Sequence, residues 1–236
     1  MTGSLYIVGT PIGNPDDLSL RAISTLKMVA IIAAENPQCT QALLARHGIT
    51  TPLTSYQNDN KEEKIPVLIQ RMREGQSVAL VSDAGTPAIV DPGALLIREA
   101  LRENIPIVTV PGPSALLAAL PASGLSGDAF VFIGPLPSRV AKSRTLLRSL
   151  RAERRTIVCF ESALRLAATL QTLRDEFGNR RIAIACNLTA PQEQWLRGAI
   201  DDIIRKQIAH TVQGELTLVI EGARPGQRTR IKRKKK

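Results

Sequence analysis

A chain of 236 residues, 44% hydrophobic and 22% charged, carries enough apolar material for one large core or two modest ones, which excludes a disordered or fibrous polymer. Aromatic residues are only 3%, which argues against reading single-stranded RNA chiefly by base stacking. The net charge of +10 is uneven: residues 228–236 hold seven Lys and Arg and no acid, leaving +3 for the rest. Such a run reads either as a holder of polyanions without regard to sequence or as a solubilising end.

Short β-like runs alternate with helical spacing along the chain, the pattern of an α/β architecture. Leu5–Val8 opens as a strand, residues 18–29 read as a helix entered through Asp16 and Asp17, and Ile31–Ala34 is a second strand. Residues 60–74 are helical up to Gly75, with Pro66 expected to shorten or kink them. Residues 77–82 form a buried strand that runs into the turn 83–87, and Pro92 suits the first turn of a helix reaching about Glu103. Residues 105–110 are a strand stopped by Pro111-Gly112-Pro113, followed by a small-residue helix over 114–120.

The stretch 121–128, with two glycines, a proline and two serines, is the best linker. Beyond it, 130–133, 156–160, 182–185 and 216–220 read as strands, and 146–155 and 162–177 as helices. The expected division is an α/β domain over 1–121, a second over 122–226, and an unstructured basic tail over 227–236. Cys39, Cys159 and Cys186 form no CxxC pair, so neither a metal site nor a disulfide framework follows, and Cys159 and Cys186 sit in apolar runs suited to a core. The start of the chain lacks a leader pattern and no run reaches membrane-spanning length, so a cytoplasmic protein without a membrane partner is expected.

Three loops share one design, a buried strand running into a Gly/Pro turn with small polar residues. They are Gly9-Thr10-Pro11-Ile12-Gly13-Asn14, Asp83-Ala84-Gly85-Thr86-Pro87 and Pro111-Gly112-Pro113-Ser114-Ala115. In open α/β sheets, ligands bind beyond the carboxyl ends of the strands, where glycine lets backbone approach closely. Each loop alone reads first as a simple tight turn, and it is the three together that point to a ligand. The first lacks GxGxxG and the chain lacks GxxxxGK, so a dinucleotide or nucleoside triphosphate is a poor fit.

The runs LYIVGTPIGNPDDLSLRAI from Leu5, VALVSDAGTPAIVDPG from Val78 and VPGPSALLAALPASGL from Val110 resemble the bacterial 16S rRNA (cytidine 2′-O)-methyltransferases of the tetrapyrrole methylase superfamily. Phe160-Glu161-Ser162, Arg165, Leu188-Thr189 and LTLVIEG from Leu216 extend the resemblance more weakly through the second half. It implies two α/β domains with S-adenosylmethionine in the cleft between them, commonly a homodimer, and 16S rRNA of the small ribosomal subunit as substrate. Carried over by position, the donor contacts are Gly9, Pro11, Asp83, Gly85, Thr86, Pro87, Ser114, Ala115, Phe160 and Leu188. Ser114 and the start of its helix can offer donors to a carboxylate. Asp83 either accepts from a hydroxyl or amine of the donor or caps the following turn.

The departures lie elsewhere. Where the family shows Ala-Glu-Asp-Thr-Arg-His-Thr, this chain has Ala34-Glu35-Asn36-Pro37-Gln38-Cys39-Thr40, and a His-x-His-Asn-Glu run becomes Gln57-Asn58-Asp59-Asn60-Lys61. Likewise Tyr-Glu-Ser-x-His-Arg becomes Phe160-Glu161-Ser162-Ala163-Leu164-Arg165, and Arg-Glu-Leu-Thr-Lys becomes Cys186-Asn187-Leu188-Thr189-Ala190. Ionisable groups are lost on the acceptor side while the donor loops stay intact. His47 and His210, the two histidines, match no family motif and read as surface residues. Glu35, Glu161 and Arg165 are then the candidate catalytic groups. Glu35 would take a proton or bind a ribose hydroxyl, or else cap or pair; Arg165 would hold a phosphate, or else pair with Glu161 across one turn. Retention of donor binding without catalysis, a changed RNA target, and a tetrapyrrole substrate are the rival readings.

Overall fold

The computed structural model describes residues 2–206 and 212–224; His210 and the basic run 228–236 lie outside them. The chain divides into two compact units, the first ending at Ser114 and the second starting at Ala115.

In the first unit, strands β1 (Leu5–Val8), β2 (Ile31–Ala34), β3 (Leu53–Ser55), β4 (Val78–Val81) and β5 (Ile107–Val110) form one sheet in the order β3-β2-β4-β1-β5. All its pairings are parallel. Every carboxyl end therefore emerges at the same edge. Helices α1 (Leu20–Met28), α2 (Pro37–Arg46), α3 (Lys61–Arg73) and α4 (Ala94–Arg102) supply the crossovers.

Alternation along the strands explains why both faces are covered. Val78 and Leu80 pack with Leu68 and Met72 of α3 and Leu96 of α4, whereas Ala79 and Val81 pack with Leu26 of α1 and Leu44 of α2. β4 is buried at all four positions, the continuous apolar run of a central parallel strand.

The second unit holds α5 (Ala115–Ala122), β6 (Phe130–Pro135), α6 (Val140–Ser149), β7 (Thr156–Ser162), α7 (Leu166–Phe177), β8 (Arg181–Cys186), β9 (Gln194–Ala199), α8 (Ile200–Arg205) and β10 (Glu215–Ile220). Its sheet runs β6-β7-β10-β8-β9; only the β6–β7 pair is parallel, and β7–β10, β10–β8 and β8–β9 are antiparallel. One face packs on α6, α7 and α8 through Leu147, Leu170, Leu173, Ile200 and Ile203. Contacts of α5 with β7 and β10 cover the other.

Several local expectations change. A 3-10 turn at Pro15–Asp17 precedes the segment 18–29, and α1 begins only at Leu20, where the Ser19 hydroxyl accepts from the Ala22 amide at 3.0 Å. Pro66 does not shorten α3, which runs through it from Lys61 to Arg73. Pro92 stands outside α4, whose first flanking residue is Gly93 at φ +150°. There a Cβ would come within 2.8 Å of Leu80, so glycine is required. Pro106, which lacks an amide hydrogen, precedes β5 and delays the strand to Ile107. The helix expected over 146–155 is α6, six residues earlier; the Lys and Arg that replace apolar residues there are good helix formers. The elements α2, β3, β9 and α8 had no counterpart in the expectations.

Candidate active site

The three Gly/Pro loops meet at the carboxyl edge of the first unit's sheet, where β1, β4 and β5 are neighbours. Their interlocking is explicit. The amide of Thr10 donates to the Gly85 carbonyl at 2.9 Å, and the Gly85 amide donates back to Thr10 at 3.1 Å, an isolated antiparallel bridge between the loops. The buried Thr10 hydroxyl donates to the Ser82 carbonyl at 3.0 Å. A Cβ at Gly9 would lie 2.8 Å from the Gly112 Cα, and one at Gly112 would lie 2.8 Å from the Gly9 carbonyl oxygen. Backbone meets backbone here, so neither glycine can carry a side chain.

Gly85 has φ +85°, and a Cβ there would press against Ile12 at 3.3 Å and the Pro113 carbonyl at 3.5 Å. The Thr86 hydroxyl donates to that carbonyl at 3.3 Å, so the β4 loop is tied to both neighbours. Just beyond, Ala88 and Val90 hold φ of +66° and +79°. For β-branched Val90 this is a strained conformation, of the kind that loops at functional sites retain.

On its other side the β4 loop reaches the start of α2. The exposed Asp83 carboxylate accepts from the Asn36 amide at 3.0 Å, a bond to a neighbouring loop that adds to the two roles expected of it. The half-buried Glu35 carboxylate receives a long 3.4 Å bond from the Asp83 amide, and its carbonyl accepts from the Gln57 side-chain amide at 2.9 Å. Asn36 is the N-cap of α2, its side chain accepting from the Gln38 and Cys39 amides, with Pro37 in the first turn. Asn36 and Pro37 thus both serve the helix start. Asn60 similarly braces its surroundings, accepting from the Gln57 amide and donating to Ser55.

Between the β1 loop, α2 and the β4 loop lies a cavity of about 550 Å³. Pro11, Ile12, Pro15, Leu43 and Ala84 give it apolar walls, and Ser82, Asp83, Thr40, Cys39 and Arg46 its polar groups. Size and lining suit a small organic ligand. Arg46 is bound by Asp16 at 2.7 Å. Its α2 residues were not among the sequence candidates, although the Asn36-Pro37 pair is a helix-start signal.

The second unit's candidates are engaged with one another. Glu161, with its side chain 2% exposed, accepts from the Thr169 hydroxyl at 2.6 Å and the Ser162 amide at 2.9 Å. Arg165 pairs with it at 3.1 Å and donates to the carbonyls of Leu136 and Pro137. This is a strut between β7, α7 and the end of β6. Phe160 is half-buried edge-to-face with Phe132, Leu188 is buried, and Ala115 opens α5.

His47 is not a surface residue: it closes α2 half-buried, with its Nε2 shielded and without a hydrogen-bond partner among the described residues. Cys159 and Cys186 are core residues, and burial pushes the thiol of Cys186 up to about 11 and that of Cys159 higher still.

Residues 4–204 match the family model for Tetrapyrrole (Corrin/Porphyrin) Methylases. The chain is 44% identical over 227 residues to "Ribosomal RNA small subunit methyltransferase I" of Synechocystis, covering 96% of this chain and 81% of that protein. It is 42% identical to the protein of the same name from Thermotoga maritima, covering 93% of this chain and 99% of the other. Among solved structures, uroporphyrin-III C-methyl transferase from Thermus thermophilus, complexed with S-adenyl homocysteine, shares the fold with a TM-score of 0.64 at 20% identity, covering 93% and 97% of the two chains. The chain therefore belongs to the tetrapyrrole methylase family and, within it, to the ribosomal RNA small subunit methyltransferase I group.

Proposed function

We propose that this protein transfers a methyl group from S-adenosylmethionine to the 2′-hydroxyl of a cytidine in 16S rRNA, in the decoding region of the small subunit, acting as a homodimer. One observation carries the reading: three Gly/Pro loops are locked together at one sheet edge, beside a cavity of about 550 Å³. Relatives named for small-subunit rRNA methylation, similar over more than nine-tenths of the chain, supply the substrate class.

The loops fit such a donor. Pro11, Asp83, Gly85, Thr86, Pro87 and Ser114 would hold it, and Gly85 keeps open the space between Ile12 and the Pro113 carbonyl. When bound, the sulfonium supplies an electrophilic methyl carbon and departs as a neutral thioether. The chain's part is alignment of the ribose oxygen, worth up to about 7–11 kcal/mol in well-oriented reactions, and removal of its proton. Glu35 is assigned the proton, because its carboxylate is half-buried and engaged by one long bond from Asp83.

A donor-binding module without catalysis is the second reading, favoured by the commitment of Asn36 to capping α2 and of Glu161 to Arg165. Incubating the protein with methyl-labelled donor and 30S subunits that lack the decoding-region ribose methylation separates the two. Label in the RNA, lost in Asp83→Asn and Ser114→Ala variants, supports the enzyme. Donor binding by calorimetry without label supports the module.

A further inference from the structure

We infer that the exposed face of α6 and the turn after it form a binding surface for RNA phosphates, which rests on the reading that small-subunit rRNA is the substrate. Residues 139–155 contain seven Lys and Arg and a single acid, Glu153, a net +6 in a short run. The tail 228–236 accounts for +7 of the total +10, so the chain outside these two runs carries a net −3. Outside the tail, positive charge is therefore concentrated in this one run.

The neighbouring acids neutralise it only in part. Glu176 of α7, its side chain 5% exposed, is shared by Arg144, Arg148 and Arg151, and Asp175 meets Arg144 at 3.0 Å. Three cations around one buried carboxylate leave excess charge at the surface, with Arg148 still 64% exposed. Glu153 is taken by Arg155. For Arg139, Lys142 and Arg154, all exposed, the described residues supply no acidic partner.

At 100° per residue, Ser143 and Leu147 point α6 into the core, while Lys142 and Arg148 bracket its outward face. Cations held in fixed directions around an exposed helix face suit a regularly charged backbone. The low aromatic content points the same way, toward phosphate contact and away from base stacking.

The test substitutes Arg139→Gln, Lys142→Gln and Arg154→Gln together in the full chain. A control set, Arg21→Gln, Lys27→Gln and Arg98→Gln, removes three exposed cations of the first unit. Anisotropy then follows binding to 30S subunits and to a decoding-region RNA hairpin over a salt series. The α6 set should lower the slope of log affinity against log salt by about 2–3 and weaken binding roughly ten- to hundredfold near 0.1 M salt. The control set should move both far less, and donor affinity should stay unchanged.

An unchanged slope in an α6 variant that melts like the parent overturns the inference, as does an equal loss in the control set. Failure of the proposed methylation reads differently, as absence of label in the parent protein itself. With activity present, the α6 set should raise KM for RNA and spare kcat; a kcat loss at unchanged KM counts against a binding surface.

Discussion

The Asp83 carboxylate accepts a hydrogen bond from the Asn36 amide at 3.0 Å, tying the loop after β4 to the residue that starts α2. One side chain thereby sets the position of the loop after β4 and of a cavity wall. Asp83→Asn keeps an acceptor oxygen and should melt close to the parent, while Asp83→Ala should lose about 1 kcal/mol through the unpaired amide. Both should lower donor affinity by tenfold or more, the Ala variant further. Calorimetric titration with the donor and thermal melts check this together.

The Gly9–Gly112 approach makes a sharper demand. A methyl group at either position meets backbone at 2.8 Å, which no rotamer change relieves. Gly9→Ala should cost about 1–3 kcal/mol, and the Gly9→Ala/Gly112→Ala double variant less than the sum, because one separation of the loops accommodates both. Urea midpoints of the three variants measure it.

Arg165 is expected to act through Glu161. Its removal leaves a carboxylate that is 2% exposed without its cation. Arg165→Ala should cost about 2–3 kcal/mol, less than the roughly 3–5 kcal/mol of a fully buried pair because the arginine itself is one-third exposed. Arg165→Lys should recover part of that and lose the paired bonds to Leu136 and Pro137. Denaturant curves test the stability. Retained kcat in the folded Lys variant would mark Arg165 as a positioning residue; a large kcat loss there would place it in the chemistry.

Glu176 predicts a pH signature. Burial pushes its carboxyl up, but Arg148 and Arg151 together outweigh burial and hold it below the usual carboxylate range. A lowered folded value means that the carboxylate stabilises the fold above its unfolded value of 4.5, and that this contribution disappears as pH falls through the folded value. The stability difference between the parent and Glu176→Gln should thus be largest near neutrality and shrink below about pH 4.5. Urea unfolding across pH 3–7 reads it; a difference that grows toward acid would refute the assignment.

Much of the first unit was legible in the residues alone. β4 reads as a central strand because an unbroken apolar run is what burial on both faces requires, and the three Gly/Pro loops follow strands at positions that a parallel sheet must bring to one edge. β9 was not legible: Gln194–Ala199 lacks alternation because it is an edge strand defined by its pairing with β8. Nor could residue order alone reveal that Glu161 and Arg165 brace three elements, or that Glu176 would gather arginines from a helix 28 residues earlier. Local propensity and period are properties of neighbouring residues, and those the chain determined by itself. Which charges neutralise one another, which loops touch backbone to backbone and where a cavity opens depend on contacts between distant residues, and only the tertiary structure decided them.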